Sequence, residues 1–130
     1  MSPCLLDANV LIALVVAEHE HHDRAGHWLA SVPTFAVCPV VEGALVRFVL
    51  RMGESTATAT ALLERITAHP RCLFWPDDIS YKDVALTGLQ GHRQVTDAYL
   101  AELAAAHGGK LATFDRALAA LRPETTLVIP

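Results

Sequence analysis

The chain has 130 residues, 52% hydrophobic and 18% charged, which suits one domain with a sizeable core and excludes disordered or collagen-like organisation. Fourteen acidic against ten basic residues give a formal charge of -4, so nucleic acid cannot be held by a bulk positive field and any such role needs a localised site. The longest apolar stretch, Val10 to Ala17, is far short of the ~20 residues that span a bilayer, and Met1 to Cys4 lacks a signal-peptide layout. The expectation is a soluble, cytoplasmic protein with no membrane partner.

Short apolar runs alternate with longer helical patterns, the signature of βα units and a mostly parallel sheet. The first strand is expected at Pro3 to Leu6, followed by a helix from Asn9 through Val16 and a second from about Glu20 to Ala30. A strand at Phe35 to Cys38 leads into the clearest helix, where Val41, Leu45, Phe48, Val49 and Met52 recur at helical spacing until Gly53. Ser55 caps a further helix toward His69, Pro70 breaks it, and Cys72 to Trp75 reads as a third strand. A helix is expected from about Ser80 to Thr87, then a glycine-bearing loop from Gly88 to Gln94. From Asp97 to Ala106 nearly every residue is apolar, predicting a helix buried on most of its circumference. Lys110 to Thr113 makes a fourth strand, Asp115 to Leu121 a short helix, and Leu127 to Ile129 a fifth strand. No repeat or linker divides the chain, so residues 1–130 are expected to form one domain. Cys4, Cys38 and Cys72 are odd in number, widely spaced and set in apolar sequence, which predicts buried thiols.

Four acids interrupt apolar sequence at strand-to-helix junctions: Asp7, Glu42, Asp97 and Asp115. Each alone reads as a helix cap or a first-turn acid at the positive end of the helix dipole. Their recurrence argues for more, because the carboxyl ends of parallel strands share one edge, where open α/β folds bind ligands. Ionised carboxylates gathered there raise one another's pKa unless a cation neutralises them. The natural cation is Mg²⁺ or Mn²⁺, hard and oxygen-seeking, and able to bridge protein to phosphate.

The segments Leu5-Leu6-Asp7-Ala8-Asn9-Val10-Leu11, the helix of Glu42, Val95-Thr96-Asp97-Ala98-Tyr99-Leu100 and Leu111-Ala112-Thr113-Phe114-Asp115 together resemble the PIN-domain ribonucleases, and more narrowly the VapC toxins of bacterial toxin–antitoxin pairs. The resemblance extends over essentially the whole chain. It implies a three-layer α/β/α domain with a central, mostly parallel sheet of four to five strands. It further implies a metal-dependent endoribonuclease that hydrolyses RNA phosphodiester bonds, is usually homodimeric, and is inhibited by a cognate VapB-type antitoxin. Asp7, Glu42, Asp97 and Asp115 match the family's acidic metal-binding quartet, while Asn9 and Thr113 match its polar supporting positions. Asp7, Asp97 and Asp115 are expected to bind one or two Mg²⁺ or Mn²⁺ ions, with Glu42 orienting water or a second ion.

Other signals compete. The run Glu18-His19-Glu20-His21-His22-Asp23 has helical spacing for a zinc ligand pair, but it lacks a His-Glu-x-x-His pattern and reads as a solvated helix start. Asp77 and Asp78 also follow a strand; Pro76 and Ser80 around them favour a turn and a cap. Asp83 sits three residues after Ser80, as in a capping box. Arg47, Arg51, Arg93 and Arg116 are the candidate phosphate contacts, each with an equally plain reading as a surface charge. Trp28, Trp75, Phe35 and Phe48 belong to apolar patterns and are assigned to the core. Haloacid-dehalogenase-like phosphatase and receiver-domain readings both fail on the acids around Asp7. The remaining rival is a non-catalytic PIN-like module that binds RNA or a partner without cleavage.

Overall fold

The computed structural model describes residues 2–130. Five strands, β1 (Cys4–Leu6), β2 (Phe35–Val37), β3 (Cys72–Phe74), β4 (Lys110–Thr113) and β5 (Thr126–Val128), form one sheet in the order β3-β2-β1-β4-β5. Every pairing is parallel, so the sheet is wholly parallel. The helices are α1 (Ala8–Val15), α2 (His22–Ala30), α3 (Pro39–Arg51), α4 (Thr56–Thr67), α5 (Val95–Ala106) and α6 (Arg116–Leu121). Right-handed crossovers put α1 to α4 on one face as the chain steps from β1 to β3, and α5 and α6 on the other as it steps through β4 to β5. The expected three-layer α/β/α architecture is therefore observed.

Local chemistry accounts for the helix ends. The Asp7 carboxylate accepts from the Ala8 N–H, Ser55 Oγ accepts from the Thr58 N–H, and Pro39 opens α3 where a missing N–H costs nothing. Gly53, at φ +89°, takes the left-handed conformation that closes α3. In α5 the side chains of Ala98, Tyr99, Leu100, Ala101, Leu103 and Ala104 are all buried, matching the near-continuous apolar pattern.

The helix expected from Ser80 to Thr87 does not form. In its place is a single 3₁₀ turn, Tyr81–Asp83, after which Val84 is extended (φ -94°, ψ 130°) and buried. Ser80 Oγ accepts from the Lys82 N–H at 3.2 Å, completing the cap within one turn, and the Asp83 side chain does not reciprocate. Ile79 and Val84 reach the core and the Tyr81 ring packs on Tyr99, 4.7 Å between centroids, contacts that form no continuous helical face to offset the cost of nucleating a helix. The loop at Gly88 to Gln94 likewise contains a 3₁₀ turn, His92–Gln94.

Trp28, Trp75 and Phe35 are buried as expected, and Phe48 packs half-buried against the same core. Cys4 and Cys38 are buried free thiols; Cys72 is half-buried.

Candidate active site

The order of strands creates the site. The chain leaves β1 toward β2, while β4 pairs with the opposite side of β1, so a crevice opens where β1 and β4 end. The Asp7 N–H donates to the Ala112 carbonyl at 3.0 Å, clamping the first residue after β1 to β4. That clamp sets Asp7 beside the residues that follow β4.

Asp7 is buried, 7% exposed, which is exceptional for a carboxylate without a cationic partner. Its Oδ1 accepts from the Ala8 N–H at 2.8 Å and its Oδ2 accepts from Thr113 Oγ1 at 2.7 Å. Thr113, fully buried, in turn accepts from the Asp115 N–H at 3.0 Å. Asp115 caps α6, its Oδ1 accepting from the Leu118 N–H at 3.0 Å. Capping and clustering are therefore not alternatives here, because one carboxylate oxygen serves the helix and the carboxylate keeps lone pairs for another ligand.

Asp97 lies in the first turn of α5, half-buried. Burial and the charges of Asp7 and Asp115 push its carboxyl up to about 6. The carboxyl of Asp7 is also raised, by burial first and by Asp115 to a smaller extent, against the lowering effect of its two hydrogen bonds. These three acids, remote in sequence, thus share one electrostatic environment. Glu42 sits one strand outward, in the first turn of α3; burial raises it, and the neighbouring charge that adds to this is Asp77. Asp77 also faces Cys38, whose thiol is pushed up to about 12, chiefly by burial. The turn reading of Pro76 to Asp78 is observed, with the Asp78 N–H on the Pro76 carbonyl and Asp78 on His107 at 3.0 Å. Asp77, which the sequence already places after a strand, nonetheless also lies close enough to Glu42 to raise it, at the same sheet edge as the other acids.

The supporting positions divide. Thr113 holds Asp7 directly, whereas Asn9 is exposed and makes no side-chain hydrogen bond among the described residues. Arg93, just before α5, and Arg116, the first residue of α6, flank the acids and are exposed. Arg51 lies nine residues beyond Glu42, about 13 Å along α3, with its guanidinium over the Phe48 ring at 6.0 Å. Arg47 is exposed on the same helix, five residues past Glu42 and turned from it by roughly 140°. None of these four arginines forms an ion pair among the described residues. The histidine run is tied into the corner before α2: the His21 N–H donates to His19 Nδ1 at 3.0 Å, and the His21 ring packs on Phe114, 4.7 Å between centroids.

Among the described residues, no three His, Cys, Asp or Glu side chains stand close enough to wrap one ion directly. The donors are all carboxylate oxygens, unpaired with any cationic side chain and repelling one another. That chemistry fits a hard octahedral cation, which takes one or two carboxylates and completes its shell with water and phosphate oxygens.

The PIN domain family matches residues 4–122. Ribonuclease VapC29 of Mycobacterium tuberculosis is 54% identical over 127 residues, covering 97% of this chain and 96% of that protein. Ribonuclease VapC39 of the same organism is 40% identical over 126 residues, covering 88% and 90%. Among solved structures, M. tuberculosis VapC20, described as a sarcin-ricin loop cleaving toxin, superposes with a TM-score of 0.71 at 16% identity, over 92% of this chain and 95% of that one. VapBC2 from Rickettsia felis, bound to a DNA fragment from its promoter, gives 0.64 at 16% identity over 95% of each. At that identity the two structures speak to the fold alone.

Proposed function

The chain belongs to the PIN-domain family, and on that premise we propose that its acidic crevice is the centre of a divalent-metal-dependent endoribonuclease, the toxin of a VapBC-type pair. That it is a ribonuclease of the VapC kind follows from identity over nearly the full length of both chains. The observation that supports the assignment of residues is the raising of buried Asp7 and half-buried Asp97, to both of which the charge of Asp115 contributes, with no protein cation beside them among the described residues.

Asp7, Asp97 and Asp115 would hold Mg²⁺ or Mn²⁺, directly or through water. When bound, the ion supplies the positive charge that this acidic chain lacks toward phosphate and lowers the pKa of water beside it. Thr113 fixes the Asp7 carboxylate in one orientation and, through the Asp115 N–H, ties its position to that of Asp115. Asp97, free of structural hydrogen bonds among the described residues, is the ligand whose protonation the site itself governs. Glu42 and Asp77 stand at the outer end of the crevice, where Glu42 can orient an attacking water or help hold a second ion. Arg93 and Arg116 reach the flanking phosphates.

The partners follow from the same reading. A VapB-type antitoxin covering the crevice would meet unpaired carboxylates, for which an arginine fork is the complementary group. The toxin acts on cellular RNA in the cytoplasm and as a homodimer. No helix among the described residues is long and apolar enough to cross a membrane.

The test is digestion of total cellular RNA by the purified protein with Mg²⁺, Mn²⁺ or EDTA, beside Asp97→Asn. Discrete fragments that need the metal and vanish in the variant are expected. Folded, antitoxin-free protein that cuts nothing in either metal would replace the enzyme with a non-catalytic binding module.

A further inference from the structure

Beside the acids lies a second cleft, of 310 Å³, between the 88–94 loop and α6, lined by Gly88, Gln90, Gln94, Ala117, Ala120 and Leu121. Its walls are carried by the two helix starts that carry the acids. Gln94 is the residue before α5 and lies three before Asp97, hence on the same face, while Ala117 is two residues after Asp115. The cleft is at the small end of ligand sites, about 300–1,000 Å³, a size for one ring system.

Its lining carries no charge. On one side, Ala117, Ala120 and Leu121, at i, i+3 and i+4 of α6, offer a shallow apolar wall against which a planar ring can pack. On the other are two amides. Gln94 Oε1 accepts from the Gln90 N–H at 2.8 Å, which commits its acceptor to holding the loop and leaves its NH₂ donors for another group. The Gln90 side chain is exposed and makes no hydrogen bond among the described residues. Arg93 and Arg116 are the chain neighbours of Gln94 and Ala117, and both are exposed.

The cleft is also held open. The Arg122 guanidinium donates to the Ala85 and Thr87 carbonyls, each at 2.9 Å, stapling the loop to the end of α6. Gly88 turns the chain at φ +87°, where any side chain would press on Leu121 Cδ1 at 3.0 Å. Preorganisation of this kind lowers the entropy lost when a ligand enters.

We propose that this cleft is the base-reading subsite of the nuclease: it takes the nucleobase beside the scissile phosphate, splayed from single-stranded RNA, with Arg93 and Arg116 on the adjoining phosphates. Gln94 offers donors alone, which suit an acceptor edge such as guanine O6 and N7, while the uncommitted Gln90 amide can both donate and accept, as adenine N7 and N6 require, so the pair selects a purine. This inference rests on the ribonuclease reading and adds to it the residues that set sequence preference.

The test is to sequence the 5′ ends of RNA cut by the wild type, Gln90→Leu, Ala120→Phe and Arg116→Ala, with kcat and KM measured on an oligoribonucleotide bearing the preferred site. Gln90 and Ala120 are exposed, so both variants should keep the wild-type thermal midpoint. For Gln90→Leu, discrimination at one position next to the cut should fall by roughly 5- to 150-fold, the range of a lost base-edge contact, with kcat on a generic substrate retained. Ala120→Phe should raise KM, whereas Arg116→Ala should weaken cleavage evenly across sequences. Folded Gln90→Leu and Ala120→Phe proteins that cut with the wild-type profile and KM would overturn the subsite and leave the nuclease intact. A wild type that cuts no RNA would overturn both.

Discussion

Thr113 Oγ1 donates a 2.7 Å hydrogen bond to Asp7 Oδ2, joining two buried residues 106 positions apart. The same hydroxyl oxygen accepts from the Asp115 N–H, so one side chain orients one carboxylate and sets the backbone of another.

Thr113→Val keeps the shape and removes the donor. It should cost about 1–3 kcal/mol in urea unfolding at neutral pH, because the buried Asp7 carboxylate loses a hydrogen bond. RNA cleavage should fall with it, and Thr113→Ser should recover both. Equal stability of the Val and Ser variants would mean the bond contributes nothing.

The metal-free protein should become more stable as pH falls from 7 toward 4. Asp97 is raised in the folded state, to about 6, and Asp7 is raised as well. Between the unfolded and folded pKa values the native state binds more protons, so this contribution is complete below the unfolded pKa of Asp and is lost as pH rises through the folded one. Thermal midpoints followed in EDTA across that range, with Asp97→Asn as comparison, measure it; the variant should show a flatter slope above pH 5.

Asp97→Asn and Asp7→Asn should both abolish cleavage, but they should differ in stability. Asp97 makes no structural hydrogen bond among the described residues, so its neutral variant relieves repulsion and raises the thermal midpoint of the metal-free protein. Asp7→Asn must fit an amide NH₂ where an oxygen now accepts, so its gain is smaller or absent. Millimolar Mg²⁺ should raise the midpoint of the wild type and leave that of Asp97→Asn unmoved, by ligand linkage.

Gly109→Ala tests the β1–β4 register that builds the crevice. A Cβ at Gly109 would collide with the Pro3 carbonyl oxygen and press on the Trp75 ring. Since the Pro3 carbonyl accepts from the Lys110 N–H at the start of that pairing, the substitution should destabilise by about 1–3 kcal/mol, as overpacking does. Chemical denaturation checks it, and a loss under 0.5 kcal/mol would show that the strand end yields freely.

The architecture could be read from the chain because its signals are local and repeated. Apolar runs bounded by caps at Asp7, Ser55 and Asp115, and the helical period from Val41 to Met52, report on neighbours a few residues away. The spacing of Asp7, Glu42, Asp97 and Asp115 at strand-to-helix junctions was legible for the same reason, given that parallel strands end on one edge. The stretch from Ser80 to Thr87 misled, because its helix-like start is satisfied by one turn and its course is set by Ile79 and Val84 reaching the core.

What sequence by itself determined was which elements form and which side chains stand at their ends, since caps, periodicity and burial act over short range. Which of those ends meet was decided only by the tertiary structure. The order β3-β2-β1-β4-β5 pairs Asp7 with Thr113 and Asp115, sets Glu42 against Asp77, and carries Arg51 away down α3. Contacts between residues a hundred positions apart leave no period or cap in the chain, and they exist only once strand pairing has brought the two segments within hydrogen-bonding distance.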